Sequence, residues 1–142
     1  MLKKLISGVV MVAGVIAMAM PAHALPVVRH ADFGSNGSVR VAYVNHRWMG
    51  RANILGLSNG TYEVYMNSWL DENHDGTPDG GVSREICKLK VTTWKHAARC
   101  KGGFKDLLDE VRGPGVLGDI NTVDIERLEN DTGVTVLSAD LK

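Results

Sequence analysis

The sequence predicts an all-β protein, an antiparallel β-sandwich of about seven short strands with one short helix. Three observations carry that expectation. Apolar runs are short and rich in β-branched and aromatic residues, and turn residues separate them at regular intervals. Only one segment repeats its apolar residues at the helical period.

The first 24 of the 142 residues stand apart. Lys3 and Lys4 precede an apolar run from Leu5 to Met20, and Pro21 leads into Ala22-His23-Ala24. A positive start, an apolar core too short for a span and an A-x-A site predict a cleaved export signal over 1–24. Residues 25–142 then form a single domain, long enough for a real core. Its lysines and arginines number 14 against 16 acids, and they are scattered along the chain. This balance predicts no nucleic-acid partner and no anionic-membrane footprint, and no stable membrane insertion follows signal cleavage. The expected location is periplasmic or secreted.

Taken in order, 25–28 can form a short edge strand and 34–38 is a loop of Gly, Ser and Asn. "VRVAYV" (39–44) has strand composition. "ANILGL" (52–57) and "TYEVYMNSW" (61–69) flank Asn59-Gly60, which predicts a hairpin because both residues tolerate positive φ. In the second arm, Tyr62, Val64 and Met66 alternate with Glu63, Tyr65 and Asn67. A further strand is expected over 84–94, with Cys87, Leu89 and Val91 on one side and Lys88 and Lys90 on the other. "FKDLLDEVR" (104–112) carries the helical period through Phe104, Leu107, Leu108 and Val111, and Gly113-Pro114-Gly115 ends it. "INTVDIERL" (120–128), a turn at 130–133 and "VTVLSADL" (134–141) make a second hairpin.

Export gives the two cysteines their meaning. In an oxidising compartment a pair usually closes a disulfide. Residues 95–101 should return beside strand 84–94 and bring Cys100 next to Cys87 across the pair. Such a bond stabilises by about 2–4 kcal/mol. The two positions are too close in sequence for the inter-sheet bridge of antibody domains.

Residues 54–79, "ILGLSNGTYEVYMNSWLDENHDGTPD", resemble a segment of prealbumin-like and carboxypeptidase-regulatory-like β-sandwiches of bacterial surface and periplasmic proteins. Gly56, Leu57, Gly60, Thr61, Tyr62 and Val64 match the strand portion, and Asp71, Asn73, Asp75 and Gly76 match the loop. The segment departs at Ser58-Asn59, where many relatives carry Pro. The resemblance implies an immunoglobulin-like or prealbumin-like sandwich with a structural, adhesive or accessory role, and it names no activity.

The chemistry-bearing candidates are few. In D-x-N-x-D-G, Asp71, Asn73 and Asp75 alternate, Gly76 permits a tight turn, and the Thr77 carbonyl and Asp79 could complete a calcium loop. Val82 stands where an EF-hand has its bidentate Glu, so the expectation is a looser, weak site between strands. The rival reading is a plain turn, since Asp, Asn and Gly are turn formers. No nucleophile elbow, S-x-x-K or H-E-x-x-H occurs, which argues against an enzyme. Tyr65 and Trp69 share one strand face. They are either packed inward or a contact strip for a protein or glycan partner. The functional expectation is therefore a non-enzymatic binding, adhesive or structural module. A small periplasmic inhibitor or chaperone-like protein is the alternative, and a copper carrier using His46 and Met49 comes third.

Overall fold

The computed structural model describes residues 27–92, 97–105, 112 and 115–142. The expected export signal over 1–24 lies outside the described residues. Eight strands are present among those described: β1 (Val27–Asp32), β2 (Gly37–Val44), β3 (Arg47–Leu55), β4 (Gly60–Leu70), β5 (Gly80–Val91), β6 (Ala97–Lys105), β7 (Ile120–Glu129) and β8 (Thr132–Asp140). They form two four-stranded antiparallel sheets, ordered β1-β2-β3-β6 and β5-β4-β7-β8. The β-sandwich expected from the sequence is the fold.

Period-two alternation fills the space between the sheets. On β3, Trp48, Gly50, Ala52 and Ile54 point inward, while Arg47, Met49, Arg51, Asn53 and Leu55 point out. On β4, Tyr62, Val64, Met66 and Ser68 face the core and are fully buried. Val39, Val41, Leu89, Val123 and Ile125 complete the centre. Each such apolar side chain contributes about 1.5–3 kcal/mol by leaving water.

Two hairpins turn on paired residues with positive φ. Asn45 and His46 (φ 51° and 62°) join β2 to β3, and Asn130 and Asp131 (φ 51° and 61°) join β7 to β8. The second was expected. The hairpin expected at Asn59-Gly60 does not form, because β3 and β4 belong to different sheets. Tertiary contacts outweigh the local turn signal there. The Tyr62 hydroxyl donates to the Ser58 carbonyl (2.7 Å), and Arg127 donates to Ser58 Oγ (3.2 Å) and the Asn59 carbonyl (3.3 Å). Together they hold 58–59 as a crossover between the sheets.

β5 begins at Gly80 and ends at Val91, so the strand expected over 84–94 is shifted, and Trp94 lies outside the described residues. Cys87, Leu89 and Val91 do share the inward side. Ile86 joins them through a bulge: Val64 pairs with Cys87 and Tyr65 with Glu85, which leaves Ile86 unpaired. Such an extra residue re-aims a side chain. Here it sends Ile86 toward Gly50, where an added Cβ would sit 2.5 Å from Ile86 Cγ2. Gly102 lies under the Ile86 carbonyl, 2.0 Å from where a Cβ would be.

Cys87 and Cys100 are bonded, with Cα atoms 5.8 Å apart. The pairing matches the expectation, but its place differs. β5 and β6 are edge strands of opposite sheets, so the bond joins the two sheets rather than two arms of a hairpin. Sequence proximity did not preclude an inter-sheet bridge, because the chain changes sheet between Val91 and Ala97. At the opposite edge Ala31 bridges Leu141, and His30 and Lys142 exchange backbone hydrogen bonds of 2.7 and 2.9 Å. Both sheet edges are therefore tied, which limits their exposure to stray strand pairing.

The helix expected over 104–112 is corrected at its start. Phe104 and Lys105 belong to β6, where they pair with Trp48 and Arg47 of β3. Ladder bonds from a neighbouring strand outweigh the local helical period there. Residues 106–111 lie outside those described.

Candidate functional site

The outer face of the β1-β2-β3-β6 sheet gathers cations that the sequence keeps far apart. Register places His30 opposite Arg40, Arg40 opposite Arg51, and Arg51 opposite Lys101. With strands about 4.8 Å apart, this row crosses the whole sheet in roughly 14 Å. One row further on, Asp32, Ser38, Asn53 and Arg99 stand side by side; Asp32 Oδ1 accepts from the Gly34 N–H (2.8 Å), and the Arg99 Nε donates to Asn53 Oδ1 (3.1 Å). These two rows line a groove of about 580 Å³ with Ser38, Arg40, Arg51, Asn53, Arg99 and Lys101 on its walls. In the other direction come Ala42, Met49 and Gly103, then Val44, Arg47 and Lys105.

Ion pairs among the described residues join Lys88 to Glu63 and Glu85, Arg112 to Asp119, and Arg127 to Glu129. None includes Arg40, Arg51, Arg99 or Lys101. Like charges directly opposite on neighbouring strands are destabilising. The basic face thus works against the fold.

The outer face of the other sheet is acidic, and most of its charges are partnered; Glu85 Oε1 is buried without a hydrogen bond, 3.8 Å from Lys88 Nζ. Glu63, Tyr65, Asn67 and Trp69 project from β4, Glu85 and Lys88 from β5, and Asp124 and Glu126 from β7. Glu63 accepts from the Tyr65 hydroxyl (2.5 Å) and lies 3.1 Å from Lys88 Nζ. The Tyr65 hydrogen bond, aided by Lys88, holds the Glu63 carboxyl below its usual range. The same bond pushes the Tyr65 phenol up to about 12. Asn67 is buried and donates to Thr122 Oγ1 (3.1 Å) and Asp124 Oδ2 (2.8 Å). Tyr65 and Trp69, the aromatic pair singled out in the sequence, do lie on this outward face and are half-buried. The Trp69 ring covers Gly81, where an added Cβ would lie 2.1 Å from Cε3.

The acidic loop connects β4 to β5, and its oxygens are turned to backbone amides. Asp71, only 7% exposed, accepts from the N–H groups of Asp75 (3.1 Å) and Gly76 (2.9 Å). Asn73 accepts from Asp75 N–H (3.2 Å), Asp75 from Thr77 N–H (2.7 Å), and Asp79 from Glu72 N–H (2.8 Å). Positive φ at His74 and Gly76 lets the chain fold back over Asp71. Asp119 arrives from the approach to β7 and accepts from Asp71 N–H (2.9 Å), and Arg112 grips it with two donors (3.1 and 2.9 Å). The Asp71 amide and the Arg112 guanidinium hold the Asp119 carboxyl below its usual range. No group of three or more His, Cys, Asp or Glu side chains takes up a metal-holding arrangement among the described residues.

His46 occupies the β2–β3 turn, while Met49 points outward from β3. The basic face escapes sequence reading because its members are separated by up to some sixty positions. Alternation marks Arg40, Arg51 and Lys101 as outward, but only strand order and register make them neighbours.

Comparison with protein-family models, with curated proteins and with solved structures finds no match to this chain. The likeness to prealbumin-like modules therefore rests on residues 54–79 alone.

Proposed function

We propose that this protein is an exported, non-enzymatic binding module whose working surface is the outer face of the β1-β2-β3-β6 sheet, and that its partner is anionic. The observation that carries this reading is the row Arg40–Arg51–Lys101, like charges set opposite one another with no carboxylate partner among the described residues. A surface that costs the fold stability and is left unpaired gains its compensation from something outside the fold. An inter-sheet disulfide accords with an oxidising compartment outside the cytoplasm. No helix among the described residues is long and apolar enough to cross a membrane.

Retention on immobilised dextran sulfate tests the surface. The protein should bind at low salt and elute as salt screens the contact. Arg40→Gln/Arg51→Gln should lose retention, and Tyr65→Ala/Trp69→Ala should keep it. The opposite pattern would move the working surface to the aromatic strip of the other sheet.

A weak calcium site in the loop 71–79 is a second reading, and one observation favours it. Asp119 comes from a distant segment to lie beside the buried Asp71, adding a carboxylate that the loop alone lacks. Asp71, Asn73, Asp75, Asp79 and the Thr77 carbonyl would share the ion. Arg112 and the loop amides already offset part of the charge, so the ion would be held weakly.

A further inference from the structure

We infer that the basic face seats the protein flat on a membrane surface, with phosphate groups of anionic lipids in the groove between Arg40, Arg51, Arg99 and Lys101. This rests on the reading of that face as the binding surface and names its partner. Three features point to lipid rather than to a soluble polyanion. The first is the groove itself, whose walls offer three guanidinium groups, an ammonium, a hydroxyl and an amide. Arginine forks match phosphate oxygens two at a time. The Arg99 Nε bond to Asn53 Oδ1 fixes that guanidinium and leaves the Asn53 amide NH₂ free to donate into the groove.

The second feature is the row beside it. Met49 stands 46% exposed between the row Arg40–Arg51–Lys101 and the row holding Arg47 and Lys105, with Val44 41% exposed next to Arg47. Apolar side chains flanked by cations suit the headgroup–acyl boundary, where the chain dips below the phosphates that the cations hold. A water-soluble polyanion offers Met49 nothing. The third feature is polarity across the molecule. Glu63, Glu85, Asp124 and Glu126 lie on the far face, so an anionic surface attracts one side and repels the other. That gives the docked protein one orientation.

Sedimentation with vesicles of phosphatidylcholine alone, and of phosphatidylcholine containing phosphatidylglycerol, tests this. The protein should pellet with the anionic vesicles and not the neutral ones. Arg40→Gln/Arg51→Gln should weaken pelleting roughly tenfold or more. Met49→Ser should weaken it about fivefold and leave dextran sulfate binding unchanged. Arg84→Gln, outside the basic rows, should change nothing. Melting curves confirm that each variant is folded, as all four positions are exposed.

Equal pelleting with neutral vesicles overturns the inference, as does an inert Met49→Ser. Dextran sulfate binding without any vesicle binding overturns the lipid and leaves the anionic partner standing. Failure to bind either probe overturns both. If the protein instead self-associates at low salt and Arg40→Gln/Arg51→Gln disperses it, the partner is the acidic face of a second copy and the lipid reading falls.

Discussion

The two outer faces of this sandwich solve the same problem in opposite ways. On the β5-β4-β7-β8 sheet, charges come with partners: Glu63 with Tyr65 and Lys88, Asp124 with Asn67 and Ser138. On the β1-β2-β3-β6 sheet, cations stand opposite cations. The overall charge is zero, so composition conceals the contrast entirely. The lesson is that a strand's outward residues say little until register pairs them. A face whose polar groups satisfy one another serves stability, and a face that repels itself is poised for something else.

The largest effect should come from separating the two faces. Cys87→Ala/Cys100→Ala removes the bond between β5 and β6 and should lower stability by about 2–4 kcal/mol. Denaturant unfolding checks this, and an unchanged midpoint would mean that the edge contacts at Gly102 and Ile86 suffice. Next comes the satisfied face. Asn67→Ala strips Asp124 and Thr122 of a buried donor and should destabilise by about 1–3 kcal/mol. The exposed Asn53→Ala, on the basic face, should leave stability within about 0.5 kcal/mol. Equal losses at the two positions would erase the contrast.

Calcium probes the loop between β4 and β5. With the weak affinity expected of an extracellular module, about 10⁻⁴–10⁻³ M, a tenfold excess should stabilise by roughly 1.4 kcal/mol. Asp75→Ala should abolish the rise in melting temperature, and magnesium should substitute poorly. No response up to about ten millimolar calcium would leave the loop closed by amides and Arg112 alone.

The smallest effect is a pH dependence centred on the acidic face. The folded state raises the Tyr65 phenol to about 12 from its ordinary 10, because the phenol donates to Glu63. That stabilisation is fully present below the unfolded value and is lost as pH rises from about 10 to about 12. Lys88, also raised by its hydrogen bond to Glu63, loses its share in the same direction. Tyr65→Phe should therefore flatten part of the alkaline decline in melting temperature, and tyrosinate absorbance should show one late-titrating ring. Glu63 and Asp119 act in reverse. Their lowered values give stability above the usual carboxylate range that is lost as pH falls below it.

Much of the fold was legible because its signals are local. Alternation in 61–69 placed Tyr62, Val64 and Met66 inside, and Asn130-Asp131 marked a true hairpin. Asn59-Gly60 misled because Arg127, almost seventy residues away, claims that turn for a crossover. Asn45-His46 passed unnoticed because His is a rare second turn residue. Ile86 could not be read as inward, since a bulge is invisible until both strands are aligned. The disulfide partners were legible, but the sheets they join were not. Of the candidate sites, Asp71–Asp79 and the outward Tyr65 and Trp69 could be named in advance. The basic groove needed three strands in register before it existed.

If the cation row is kept for a partner at the expense of the fold, Arg40→Gln/Arg51→Gln should change stability and binding in opposite directions. Melting temperature and dextran sulfate binding are read on the same preparation. Relief of cross-strand repulsion should raise stability by about 0.2–1 kcal/mol, a few degrees in melting temperature, while binding is lost. A variant that melts lower than the parent, or that binds as tightly, would contradict the claim.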